Sequence, residues 1–130
     1  MGAEVLLSQS FDRGRVTGLR HAVASCAGQA GLSGSRLDDF VVAANELMTN
    51  AVRHGGGLGH VALWREAGSV VCEVSDHGRG IVDPALDHPH RPQAGEPGGW
   101  GLWLAAELTD DLRLNTSPEG TTVRISTRSS

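Results

Sequence analysis

Asn45-Glu46-Leu47-Met48-Thr49-Asn50-Ala51-Val52-Arg53-His54-Gly55 is the stretch whose reading decides the fold. It closes a helix that the spacing predicts from Ser35 onward. Ser35 stands at the N-cap with Asp38 three residues later, a capping-box arrangement, and Gly55 is a natural stop at C′. Leu37, Phe40, Val41, Ala44, Leu47, Met48 and Ala51 recur at three- and four-residue steps and make one apolar face. Glu46 and Asn50 are four apart, so they stack on one stripe of the helix. At about 100° per residue that stripe lies roughly opposite the apolar face. Two readings fit it: a solvated polar stripe, or a carboxylate and an amide lining a cleft, one as base and one as metal ligand.

The rest of the composition narrows the choice. The chain has 130 residues, room for a single domain with a real core. Net charge is −4 and the pI is about 5.8, which argues against a nucleic-acid or anionic-membrane partner. No run approaches the roughly 18 apolar residues of a membrane span. Met1 to Glu4 lacks the basic start of a signal peptide, and Leu6 stands where a myristoylation signal needs Ser or Thr. A soluble cytoplasmic protein is the expectation. Cys26 and Cys72 have no metal spacing and read as two buried reduced thiols. All eleven basic residues outside histidine are arginine, so no chemistry that needs a lysine ammonium is open. The 18 glycines are about twice the usual share and crowd into 55–59 and 78–101.

Outward from the central helix, Glu4 to Ser10 reads as a strand. A helix follows from Arg13 to about Ala30, with Asp12 as cap and Val16, Leu19, Val23, Cys26, Ala27 and Ala30 as its apolar stripe. His60 to Arg65 and Val70 to Asp76 read as a hairpin across Glu66-Ala67-Gly68-Ser69. Val70, Cys72, Val74 and Asp76 share one strand face, so the acid points the same way as the apolar residues, toward the helices. From Ile81 to Pro97 no period appears, and four of the five prolines lie there. A loop of that length is expected to be a lid or a disordered segment. Gly98-Gly99-Trp100-Gly101 opens an apolar helix from Leu102 to about Leu108. Leu112 to Thr116 and Thr121 to Thr127 close the chain as a hairpin. This order predicts an α+β fold: a two-layer sandwich of a mostly antiparallel sheet with helices on one face.

Three motifs carry chemistry. Asp76-His77-Gly78-Arg79-Gly80 puts a carboxylate at a strand end, and the glycines let the backbone approach a flat ligand. An ionised Asp only accepts hydrogen bonds, so it can take the exocyclic amine of adenine and leaves guanine's carbonyl unmatched. A plain strand end and glycine turn is the bland alternative. A dinucleotide fingerprint fits less well, because the third glycine is missing and the element order is not βαβ. Gly98 to Leu102 is either a flexible lead into a core helix or an anion site built from free N–H groups and the helix dipole. Glu46 and Asn50 suit Mg²⁺, which leans on substrate phosphates. His88 and His90, flanking Pro89, read with His77 as polar loop residues rather than a metal site. His54 either neutralises the end of its helix or lines the site.

Taken together, in this order, the motifs resemble those of the GHKL ATPase superfamily, which includes DNA gyrase B, heat-shock chaperones and sensor histidine kinases. Glu46 to Ala51 is similar to its N box, Asp76 to Gly80 to its G1 box and Gly98 to Leu102 to its G2 box. Gly120-Thr121-Thr122 resembles the late threonine motif. Within the superfamily the chain most resembles the bacterial anti-sigma-factor serine/threonine kinases. That resemblance implies a single histidine kinase-like ATPase domain over 1–130 with the Bergerat ATP-binding fold and a lid at about 81–97. It implies ATP and Mg²⁺ as cofactors, a homodimer, and a sigma factor and an antagonist protein as partners, the antagonist phosphorylated on serine or threonine. Glu46 would be the catalytic base, Asn50 the Mg²⁺ ligand and Asp76 the adenine reader. His54, Gly78, Gly80, Gly98, Gly99, Trp100, Gly101, Leu102 and Thr121 would complete the nucleotide site. Some relatives carry a basic residue just before the G2 glycines; here Glu96 and Pro97 stand there, with Arg91 and Arg79 the nearest arginines. A histidine-kinase domain would need a phosphoacceptor histidine on a dimerisation helix, and His21 reads as an ordinary helix-surface residue. A non-catalytic module that binds ATP and a partner protein is the alternative reading.

Overall fold

A computed structural model describes residues 4–54, 56–78 and 100–129. Five strands form one sheet in the order β1-β2-β3-β5-β4, and every neighbouring pair is antiparallel. The strands are β1 (Glu4–Asp12), β2 (Leu58–Glu66), β3 (Ser69–Asp76), β4 (Asp111–Ser117) and β5 (Gly120–Arg128). Three helices pack on one face: α1 (Val16–Gln29), α2 (Gly34–His54) and α3 (Trp100–Leu108). α2 is the hub of that layer, with α1 on one flank, α3 on the other and β2, β3 and β5 beneath.

The alternation predicted for the strands is present. Val70, Cys72 and Val74 of β3 lie directly opposite Thr127, Ile125 and Val123 of β5, and all six are buried. Val61 and Leu63 of β2 face the same layer and are fully buried. Phe40, Leu47 and Met48 of α2 press onto this surface. Each such side chain contributes about 1.5–3 kcal/mol of burial free energy. On the opposite face the Arg124 guanidinium sits 5.1 Å from the Trp64 ring centroid and bridges to Glu73 at 2.8 Å.

Several boundaries differ from the sequence expectation. β1 runs on to Asp12, and Arg13–Arg15 form a 3₁₀ turn before α1 begins at Val16. Asp12 makes no side-chain cap bond there. The first intrahelical bond of α2 runs from Leu37 N–H to the Ser33 carbonyl at 3.3 Å, two residues before the expected cap at Ser35. α3 begins at Trp100 rather than Leu102, and of its side chains Ala105 is fully buried while Leu102, Trp103 and Leu104 are half-buried. The expected lid at 81–97 lies outside the described residues. Among the described residues no helix is long and apolar enough to cross a membrane.

Both cysteines are free thiols. Cys26 is half-buried with its thiol 3.6 Å from the Leu6 carbonyl, so only Cys72 meets the expectation of full burial. Burial, with a lesser push from the Glu73 charge, raises the Cys72 thiol from 9.0 to about 12. The folded state therefore holds this proton more tightly than the unfolded chain. The stability it contributes is complete below pH 9.0 and is lost as pH rises toward about 12. At about pH 8 an alkylating reagent is expected to leave Cys72 unmodified in the native chain and to modify it after denaturation, as counted by mass spectrometry.

Candidate functional site

Asp76 is the last residue of β3, and its register partner on β5 is Thr121. Thr121 in turn faces Thr116 of β4, and their hydroxyl oxygens are 2.9 Å apart. Three polar residues thus lie abreast across β3, β5 and β4 on the helix-facing side, at the end where the apolar layer stops. Thr121 is 7% exposed and Asp76 is half-buried. The backbone N–H of Gly78 donates to Asp76 Oδ1 at 2.9 Å, which fixes the carboxylate and leaves its other lone pairs for a further donor.

Gly120 shapes this end of the sheet. Its φ is +151°, and a Cβ there would stand 2.1 Å from the Asp76 carbonyl oxygen and 3.1 Å from the His77 Cα. The β5 start is therefore pressed onto the backbone that carries Asp76. By sequence Gly120 falls between the two strands of the closing hairpin; the close approach is a tertiary contact and has no local pattern.

α2 brings its polar stripe to the same end. Ala51 Cβ lies 3.3 Å from where a Gly59 Cβ would stand, and the next residue, His60, pairs with Ser75 beside Asp76. Asn50, just before Ala51, thus sits above the Asp76 end of the sheet. Glu46, one turn earlier, reaches the first turn of α3: its Oε2 lies 2.9 Å from the place a Gly101 Cβ would occupy. Neither residue is solvated as an outer stripe would be; both are half-buried, because α3 packs along this flank of α2. Among the described residues neither side chain has a hydrogen-bond or ion-pair partner. The first turn of α3 has no acid of its own, and among the described residues the Glu46 carboxylate lies beside it.

The remaining predicted residues divide. Leu102 packs against the core from the first turn of α3. Trp100 opens that helix. His54 is exposed at the end of α2, and His77 is exposed just past β3. Gly80, Gly98 and Gly99 lie outside the described residues, as do Arg79, Arg91, His88 and His90.

One helix sets a carboxylate against Gly101 in the first turn of another, and an acid ends a central strand. Residues 10–127 match the family described as histidine kinase-like ATPase domain. The chain belongs to that family. Membership implies ATP as the ligand. Among solved structures, the fold is similar to that of the RsbU and RsbW domains of Rv1364c from Mycobacterium tuberculosis. The TM-score is 0.69 at 25% identity, covering 94% of this chain and 31% of that one. It is also similar to the histidine kinase domain of the blue-light activated histidine kinase EL346 from Erythrobacter litoralis. There the TM-score is 0.56 at 19% identity, covering 88% of this chain and 63% of that one. The chain therefore spans about a third of the mycobacterial chain and less than two thirds of the second. A comparison with curated proteins gives no match.

Proposed function

We propose that this histidine kinase-like domain is an anti-sigma regulatory factor. In this reading it binds ATP with Mg²⁺, sequesters a sigma factor, and phosphorylates a serine or threonine on an antagonist protein. The motifs resemble anti-sigma kinases, and the mycobacterial structure of similar fold is described as containing an RsbW domain. The observation that carries the reading is Glu46 lying against Gly101 in the first turn of α3, with Asn50 one turn on along α2.

The donor set fits the group the family implies. A half-buried carboxylate and a half-buried amide, both free of protein partners among the described residues, are hard oxygen donors of the kind Mg²⁺ takes. Asn50 would hold the metal, which when bound supplies positive charge to the phosphate oxygens in a chain that has no lysine. Asp76 would accept the adenine amine, held in place by Gly78 and by the β5 backbone at Gly120. Thr121, its hydroxyl beside that of Thr116, would support the same end of the base. Glu46 would orient the acceptor hydroxyl and take its proton as the oxygen bonds to the terminal phosphorus and the bond to ADP breaks. The domain would work as a cytoplasmic homodimer.

Gly101→Ala tests the part played by Glu46. The new methyl collides with the far end of a flexible side chain, so the carboxylate moves while the fold survives. Alanine also favours the helix by up to about 1 kcal/mol over glycine. The expected result is an unchanged or raised melting temperature with transfer slowed roughly 10- to 100-fold, since a shift of about 1 Å in a reacting group costs that much.

Glu96 and Pro97, where some relatives have a basic residue, favour a second reading as an ATP-dependent binding module without transfer. Incubation with labelled ATP and candidate antagonist proteins separates the two. Label on a serine or threonine supports the kinase. ATP binding with no label on any candidate supports the module.

A further inference from the structure

Arg13, Thr49 and Arg53 line a hollow of about 250 Å³ together with Val16 and Val52. Thr49 and Arg53 are one turn apart on α2, and Arg13 comes from the 3₁₀ turn that precedes α1. Among the described residues four arginines are matched by carboxylates: Arg36 with Asp110, Arg65 with Glu4, Arg113 with Asp111, Arg124 with Glu73. Arg13 and Arg53 have no carboxylate partner among the described residues, in a chain whose net charge is −4. No acid lines this hollow among the described residues. Asp12 lines a different one, with Arg15 and His60, and Glu46 is turned to Gly101. Val52, 7% exposed, gives the hollow an apolar wall.

This combination suits a carboxylate carried on a short methylene stem. Guanidinium groups fork onto carboxylate oxygens, a threonine hydroxyl can donate a third bond, and the valines cover the stem. The space is below the roughly 300–1,000 Å³ of small-molecule sites, so it fits a side chain better than a free nucleotide. Thr49 follows Glu46 by three residues, so an occupant lies on a flank of the helix that carries the candidate base.

We infer that the Arg13–Thr49–Arg53 hollow docks an acidic peptide segment of a protein partner, with a glutamate side chain inserted between the two arginines. That the partner is the protein presenting its hydroxyl to Glu46 rests on the kinase reading above.

A short polyglutamate peptide is the probe, titrated into the isotope-labelled protein at low salt and followed by NMR. The expected result is saturable shifts of the Arg13 and Arg53 side-chain N–H signals and of the Thr49 amide. Arg13→Glu combined with Arg53→Glu is expected to weaken binding about tenfold or more, because a matched charge becomes a repulsive one. Arg113→Glu, on the other face of the sheet, is expected to change it by less than about twofold. Shifts confined to other residues, equal binding by the double variant, or an equal loss in Arg113→Glu would overturn the inference. ATP titration of the double variant, expected to match wild type, shows that its fold and nucleotide site are intact. Peptide binding without any phosphotransfer removes the kinase reading and keeps the docking site. Transfer without peptide binding does the reverse.

Discussion

Asp76→Asn is expected to weaken ATP binding on the order of 30- to 100-fold, with the fold unchanged. The reason lies in one hydrogen bond. Asp76 Oδ1 accepts from the Gly78 N–H at 2.9 Å, and the adenine amine would need a second acceptor on the same group. A carboxylate offers two oxygens; an asparagine amide offers one. If that oxygen stays with Gly78, the amide NH₂ faces the adenine NH₂, donor to donor. If the amide flips, the Gly78 N–H loses its partner. Either way one group in a half-buried site is left unmatched, at about 2–3 kcal/mol. Calorimetric titration of the variant with ATP measures this, and an unchanged dissociation constant would remove Asp76 from the adenine site.

Gly120→Ala has the largest expected effect on stability. The methyl would stand 2.1 Å from the Asp76 carbonyl oxygen, a backbone atom held in the central strands, where nothing flexible can give way. The residue also sits at φ +151°, a conformation that an L side chain resists. Strain and displaced β3–β5 pairing together cost about 3 kcal/mol or more, which lowers the melting temperature by roughly 10 °C or more. Thermal and urea unfolding give the number. The contrast with Gly101→Ala is informative, since the same chemical change there meets only a carboxylate tip. An unaltered melting temperature for Gly120→Ala would mean that the β5 start does not press on the Asp76 backbone.

Periodicity carried most of the architecture. The α2 apolar face, the Val70–Asp76 alternation and the closing hairpin follow from side-chain spacing alone, because each element buries one face of its own. Asp76 and Thr121 were legible separately; that they are register partners needed the β3–β5 pairing, which joins residues far apart in the chain. The Glu46 stripe was legible as polar but not as half-buried, since the packing of α3 along α2 decides its surroundings. Other misreadings are local. Gly34 has φ +56°, and the first α2 bond reaches back past it to Ser33, which a capping pattern at Ser35 cannot reveal. Arg13 looked like a helix start, yet β1 stays paired with β2 through Asp12, so the turn is 3₁₀ and the helix proper waits for Val16. Arg36 joins α2 to Asp110 and to the Arg128 carbonyl, a tie between distant segments that no window of sequence displays.

The strand order has a bearing on solvent exchange. β3 and β5, which carry Asp76 and Thr121, are flanked by hydrogen-bonded neighbours on both sides. Their amide hydrogens are expected to be among the last to swap for deuterium, even with no nucleotide present, because only near-global opening frees them. A ligand settling on that floor has little left to protect there. Its imprint on deuterium uptake should fall instead at the opening turn of α3, beside Glu46.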